Sequence, residues 1–151
     1  MSPWTYQNII FVKENAELKI AEGCIGFVYE ITDVSNGKKY IGKKLLITKR
    51  KRPPLKGQKR KRIDIIQSDW EKYCGSSETV KLLVKDRPDD FRREILEFCK
   101  AKGELSYIEA KWQFAKEVLL RDDFYNEFIG CRINASHLKN LKEEYRRLNS
   151  L

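Results

Sequence analysis

Three groups of residues in this 151-residue chain could do chemistry by their type and spacing: four cysteines, a lone histidine and a run of cations. Cys24, Cys74, Cys99 and Cys131 lie 50, 25 and 32 residues apart, with no C-x-x-C pair. With one His they cannot supply a closely spaced tetrahedral cluster, which sets structural zinc aside. The same shortage argues against a His-based nucleophile triad, and the apolar surroundings of three of the cysteines read as buried reduced thiols. The cations say more. Between Lys43 and Arg62 stand eleven basic residues (Lys43, Lys44, Lys49, Arg50, Lys51, Arg52, Lys56, Lys59, Arg60, Lys61 and Arg62) and no acidic one. Of the chain's 31 Lys+Arg that leaves 20 against 22 Asp+Glu, so the net charge of +9 resides in this one segment. Such a run can be no more than a solvated, flexible loop. Here Pro53, Pro54 and Gly57 divide it, as in a loop or ribbon that presents two basic arms to a phosphate backbone. An anionic membrane fits less well, because the run lacks an amphipathic helical pattern with aromatic anchors.

The rest of the chain must position whatever this segment binds. At 41% apolar and 11% aromatic it has the material for one domain with a core. No apolar run approaches the roughly twenty residues of a membrane span, and the start, MSPWTYQN, has neither a basic nor an apolar leader region. A soluble, cytoplasmic protein is the expectation. Residues 1–22 form a poorly patterned lead-in, with Trp4, Ile9, Ile10, Phe11 and Val12 packing onto the main body. From Cys24, the alternation of Ile25, Phe27, Tyr29 and Ile31, then Asn36-Gly37, then KKYIGKKLLI, predicts a β-hairpin. A two-residue Asn-Gly turn pairs Tyr40 with Asp33 and Tyr29 with Lys44, and puts both tyrosines on one face. That register places Lys44, and not Lys43, on the tyrosine face; Lys43 swings across only if the strand ends or bulges after Gly42.

Farther along, SDWEKYCGSS reads as a short helix capped by Ser68 and ended at Gly75, and a second helix starts at Ser76 or Ser77. Phe91 to Cys99 reads as a strand. Leu105, Ile108, Trp112, Ala115 and Leu119 repeat at helical spacing from Glu104 to Leu120, with Glu109 at the edge of the packed face. Residues 122–129 form an aromatic-containing loop. Ser136 is expected to cap a last helix carrying Leu138, Leu141, Tyr145 and Leu148.

Gly26-Phe27-Val28-Tyr29 and Tyr40-Ile41-Gly42-Lys43, eleven residues from tyrosine to tyrosine, resemble the paired signature of the GIY-YIG nuclease family. Phe91–Leu96 resembles the family's third strand, Glu109-Ala110-Lys111-Trp112 the segment with its metal-binding glutamate, and Tyr125-Asn126 its late Tyr-Asn element. The likeness runs from about Gly26 to Asn126 and is greatest to small, basic, phage-type members akin to homing endonucleases. It implies an α+β domain over 23–130 with a three-stranded antiparallel sheet flanked by helices. The basic segment 43–62 is then an insertion after the second strand, and 131–151 a C-terminal helix. It also implies cutting of DNA phosphodiesters with one divalent ion, magnesium or manganese, and no organic cofactor.

By the resemblance, Tyr29 would activate or position the attacking water, with Lys43 favouring its deprotonated form. Tyr40 would orient water and phosphate, Glu109 would bind the metal, and Asn126 would hold the site together. The family's arginine, about ten residues past the second tyrosine, falls in the basic segment: Arg50 has the family spacing, with Arg52, Arg60 and Arg62 as rivals, and Tyr73 could replace the residue one turn later. Lys44, Lys49, Arg50, Lys51, Arg52, Lys59, Arg60, Lys61 and Arg62 are the expected DNA contacts. His137 matches no family motif. The chemistry is self-consistent, because phosphodiester hydrolysis needs an in-line water, a base and positive charge on the transition-state oxygens, and magnesium often takes a single carboxylate. The rival readings are a non-catalytic nucleic-acid-binding protein that uses 43–62 alone, and a nuclease-fold remnant working as a subunit.

Overall fold

The alternating runs on either side of Asn36-Gly37 build the centre of the fold. In a computed structural model, which describes residues 1–150, they form β3 (Gly26–Asp33) and β4 (Lys39–Leu45), paired antiparallel. β3 is buried on both faces and pairs on its other side with β7 (Phe91–Cys99), also antiparallel, with a bulge where Val28 gives way to Tyr29. These are the three strands that the sequence implies. The sheet nevertheless has five: β1 (Trp4–Tyr6) runs parallel to β7 and carries β2 (Ile9–Ile10), giving the order β2-β1-β7-β3-β4. Two- and three-residue strands are too short to show alternation, so the lead-in hid them. Trp4 anchors them, buried and donating from its indole to the Trp70 carbonyl at 2.9 Å.

Helices cover both faces. On one side α1 (Lys13–Ala21), α2 (Glu78–Asp86) and Trp70 close over Phe27, Tyr29, Ile31 and Leu46. On the other, α3 (Lys102–Ala115) lays Leu105 and Ile108 against Val28, Ile41 and Cys99. α3 stops earlier than its apolar stripe suggests. Glu117 takes a left-handed φ of 53°, and the turn it makes buries Val118 and leaves Leu119 exposed. Ser77 caps α2, accepting from the Val80 N–H at 3.3 Å. The helix expected over 68–75 is only a 3-10 turn, Trp70–Lys72, because the Ser68 hydroxyl is spent on the Leu45 carbonyl at 2.6 Å. Ser136 caps nothing either; it sits in a 3-10 turn, Ala135–Leu138, before α4 (Lys139–Asn149), and its hydroxyl bonds Asn134. His137 in that turn packs on Gly103, where any side chain would collide with it. Leu151, the end of the expected C-terminal segment, lies outside the described residues.

The hairpin register differs from expectation by two residues. Tyr29 faces Gly42 and Ile31 faces Tyr40, because residues 34–37 form a four-residue loop closed by the Asp33 N–H on the Lys38 carbonyl at 2.8 Å. A shift of two preserves the face, so both tyrosines do point the same way. The basic segment forms a separate two-stranded antiparallel ribbon, β5 (Ile47–Arg52) and β6 (Arg62–Gln67). All four cysteines are free thiols, but only Cys24 and Cys99 are buried; Cys74 is half-buried and Cys131 exposed. Among the described residues, no helix is long and apolar enough to cross a membrane.

Candidate active site

β4 is an edge strand, and an exposed edge leaves N–H and C=O groups without partners. This one is met group by group. At Lys39 the backbone of 123–125 pairs with it: the Lys39 N–H donates to the Asp123 carbonyl at 2.9 Å and the Tyr125 N–H to the Lys39 carbonyl at 2.7 Å. At Ile41 the Asn126 side chain substitutes for backbone, accepting from the Ile41 N–H at 3.0 Å and donating to its carbonyl at 2.8 Å. Gln113 on α3 donates to the same carbonyl at 3.1 Å. Two residues on, Glu109, one helical turn before Gln113, faces Lys43, with Oε1 4.0 Å from the Lys43 Nζ. Tyr40, Lys43, Tyr73, Ser76, Glu109 and Asn126 thereby line one cleft of about 610 Å³.

Tyr29 lies just beneath. Its ring is wholly buried and its hydroxyl has no hydrogen-bond partner. Gly42 makes room for it: a Cβ there would strike the Tyr29 hydroxyl and come within 3.0 Å of the Tyr40 ring. The Tyr40 hydroxyl is 3.0 Å from Ser76 Oγ, and the two tyrosine rings are 6.4 Å apart. Burial pushes the Tyr29 phenol well above its usual range, and the Tyr73 and Tyr40 hydroxyls beside it add to the rise. Burial raises the Tyr40 phenol as well, against the opposing effect of its hydrogen bond with Ser76. Both are neutral hydroxyls around pH 7.

The expected partnership of Lys43 with Tyr29 is corrected by the register. Lys43 is opposite Val28, on the α3 face, and β4 continues regularly to Leu45 opposite Gly26, so no bulge turns it round. Its ammonium donates to Ser106 Oγ at 2.7 Å and serves Glu109 instead. Burial raises the Glu109 carboxyl above its ordinary value, while the Lys43 ammonium and backbone N–H oppose that rise. Lys44 is on the tyrosine face as expected, but its Nζ is tied to Asp69 at 2.6 Å and stacks 4.3 Å over the Tyr73 ring.

The arginine expectation also needs correction. Arg50 and Arg52 are on β5, Arg60 is in the ribbon tip and Arg62 is on β6; none of them lines the cleft, and Arg52 pairs with Asp64. Among the described residues Lys43 is the cation that lines it. Sequence reasoning missed Arg93, which is buried and donates to the carbonyls of Ser2, Glu71 and Tyr73 at 2.7–3.3 Å, and so ties the Trp70–Lys72 turn and Tyr73 to the sheet. Burial lowers its guanidinium to about 10. Gln113 was missed as well; its place one turn after Glu109 was the available signal. For Ser76 the sequence signals only a helix start, and its hydroxyl instead meets Tyr40.

No group of three or more His, Cys, Asp or Glu side chains converges among the described residues. Glu78, Glu109 and Glu127 line this cleft without converging, and of the three Glu109, whose side chain is 13% exposed beside Lys43, is the carboxylate that a divalent ion would meet next to Tyr40 and Asn126. That donor set suits a hard ion that keeps most of its waters, and would not suit zinc.

A family model described as "Putative endonuclease segE, GIY-YIG domain" matches residues 4–129. The chain belongs to the GIY-YIG nuclease family. The match begins at Trp4, so it takes in β1 as well as the paired motif and Asn126. No curated protein and no solved structure matches the chain.

Proposed function

We propose that the chain is a metal-dependent DNA endonuclease of the GIY-YIG type, hydrolysing phosphodiester bonds with Tyr29, Tyr40, Lys43, Glu109 and Asn126 at its active site. The observation that carries this reading is the cleft along β4, where Tyr40, Lys43, Glu109 and Asn126 meet beside an unsatisfied Tyr29 hydroxyl. A buried hydroxyl without a partner costs stability, and a water or phosphate oxygen reaching the floor of the cleft would satisfy it.

Glu109 would hold a magnesium or manganese ion, which when bound supplies positive charge to the oxygens of the scissile phosphate. The Lys43 ammonium favours the ionised form of Glu109 against the effect of its burial, and adds a second positive charge at the cleft wall. Tyr40, steadied by Ser76, orients phosphate or water through its hydroxyl. Tyr29, neutral in the resting protein, positions the attacking water by hydrogen bonding. Asn126 and Gln113 hold Ile41, and with it the spacing from Tyr40 to Lys43. The DNA backbone would be gathered by cations of the ribbon such as Arg50, Lys59 and Lys61.

The test is incubation of the purified chain with supercoiled plasmid, linear and branched DNA in magnesium, in manganese and in chelator. Nicking or linearisation only with a divalent ion is expected. DNA bound under all conditions and cut under none would overturn the reading in favour of a non-catalytic nucleic-acid-binding protein.

A further inference from the structure

The ribbon has two unlike faces. Cross-strand partners share a face, so Lys49 opposite Ile65 and Lys51 opposite Ile63 form one side, while Arg50 opposite Asp64 and Arg52 opposite Arg62 form the other. The arginine side contains its own carboxylate, Asp64, paired with Arg52. The lysine side has none, and it exposes two isoleucines at 59% each, whereas the arginine side exposes one, Ile66 opposite Thr48, at 42%. Phosphates alone explain the cations. They do not explain apolar side chains held between lysines on a strand pair that projects from the body.

We infer that the β5–β6 ribbon enters the major groove of duplex DNA with Lys49, Lys51, Ile63 and Ile65 on the base edges, and so sets where the cleft cuts. Only the last clause rests on the nuclease reading above. The groove is about 12 Å wide and admits a two-stranded ribbon. Strands about 4.8 Å apart, each with six paired residues and therefore roughly 20 Å long, match it in width and span about half a helical turn. The major-groove edge offers guanine N7 and O6 to lysine and the thymine methyl to an apolar side chain. Isoleucines that are costly in water thus gain a surface to cover, and Arg50, on the opposite face, is placed to reach a flanking phosphate.

The base of the ribbon is clamped to the active-site strand. Only Leu46, fully buried, separates β4 from β5. The Ser68 N–H donates to the Leu46 carbonyl at 2.9 Å, and the Gln67 side chain bridges the Lys13 carbonyl at 3.1 Å and the Trp70 indole at 2.9 Å. A reader fixed in this way to the strand bearing Tyr40 and Lys43 imposes one offset between the bases read and the phosphate cut.

The experiment is selection of a randomised duplex library by the full chain in chelator, where no cutting interferes, followed by sequencing of the bound DNA. A short motif containing G and T, enriched tenfold or more, is expected. Methylation of guanine N7 within it should weaken binding about tenfold, and the minor-groove ligand netropsin should leave binding unchanged. Ile63→Thr with Ile65→Thr keeps β-branching and every charge; it should erase the enrichment while preserving the salt dependence. Lys49→Gln with Lys51→Gln should also erase it. No motif with the wild-type chain, a motif unchanged in both variants, or displacement by netropsin without an N7 effect would each overturn the groove assignment. With magnesium added, cuts at one fixed distance from the motif are expected, and scattered cuts would overturn the coupling to the cleft. A motif without any cutting would sink the nuclease reading and leave the groove assignment standing.

Discussion

β4 and β5 are successive strands separated by one residue, yet they organise their polar groups in opposite ways. Along β4 the outward groups have distinct partners, from Asp123 and Tyr125 at Lys39, through Asn126 and Gln113 at Ile41, to Glu109 at the Lys43 ammonium. Along β5 the residues from Thr48 to Arg52 are exposed, and Arg52 with Asp64 is the ion pair of the ribbon among the described residues. Where partners are unique, losing one group removes a function; where like charges repeat, losing one changes an amount. The cleft should therefore break abruptly under single substitutions and the ribbon should weaken in steps.

The sharpest break is expected at Glu109. Glu109→Gln keeps the shape of the side chain but removes the negative charge a hard cation needs, so divalent-dependent cleavage should fall to background while DNA binding persists. Full cleavage by this variant, measured on plasmid under single-turnover conditions, would show that the metal is held elsewhere. The tyrosines come next. Tyr29→Phe and Tyr40→Phe should each cut roughly 10²- to 10⁴-fold more slowly, the range for losing a group that moves or positions a proton. Stability should separate the two roles of Tyr29: its hydroxyl is buried and unpartnered, so removing it should leave the melting temperature unchanged or higher. A packing role alone predicts wild-type cleavage from both variants.

Asn126 sharpens the comparison from the side of the scaffold. Asn126→Ala removes two hydrogen bonds to Ile41; the carbonyl keeps Gln113, but the N–H loses its partner, costing about 1–3 kcal/mol in denaturant unfolding. Displacement of β4 by even an ångström should slow cleavage by roughly 10²-fold. A variant that is destabilised yet cuts at the wild-type rate would mean that the strand's position is not critical.

The legibility of the two regions follows the same divide. Alternation at Phe27, Tyr29 and Ile31, the cap at Ser77 and the strand from Phe91 are local patterns, and the structure keeps them. The charge of the ribbon could be read directly, because a run of cations needs no tertiary partner to be recognised. What was hidden depended on contacts distant in sequence. Trp4–Tyr6 becomes a strand only because Arg93 to Ile95 lies beside it. Gln113 belongs to the site only because Ile41 is at an edge. The pairing of Lys43 with Glu109 needed the true length of the 34–37 loop and the placing of α3 behind β4, neither of which periodicity encodes. The two tyrosines were placed on one face despite a register wrong by two residues, since only an odd slip would have separated them.

The smallest effect on the rate of cutting is expected in the ribbon tip. Arg60 and Lys61 are exposed with no ion pair among the described residues, and the Arg62 guanidinium makes only a 3.4 Å bond to the Pro53 carbonyl. Replacing all three with Gln should leave stability within about 0.5 kcal/mol, as for other surface changes that bury nothing. Each phosphate that a cation neutralises releases counterions and contributes about −0.9 to the slope of log affinity against log salt on duplex DNA. If all three touch phosphate, the slope should flatten by about 2.7, with affinity at low salt falling most. Cleavage of saturating DNA should hardly change, because none of the three lines the cleft. Binding measured from low to moderate salt, beside single-turnover cleavage at saturation, separates the two quantities. An unchanged slope would mean that the tip is merely solvated and that the phosphate contacts lie nearer the clamped base of the ribbon. A large fall in the saturated rate would instead break the comparison, because it would bring a ribbon cation into the chemistry itself.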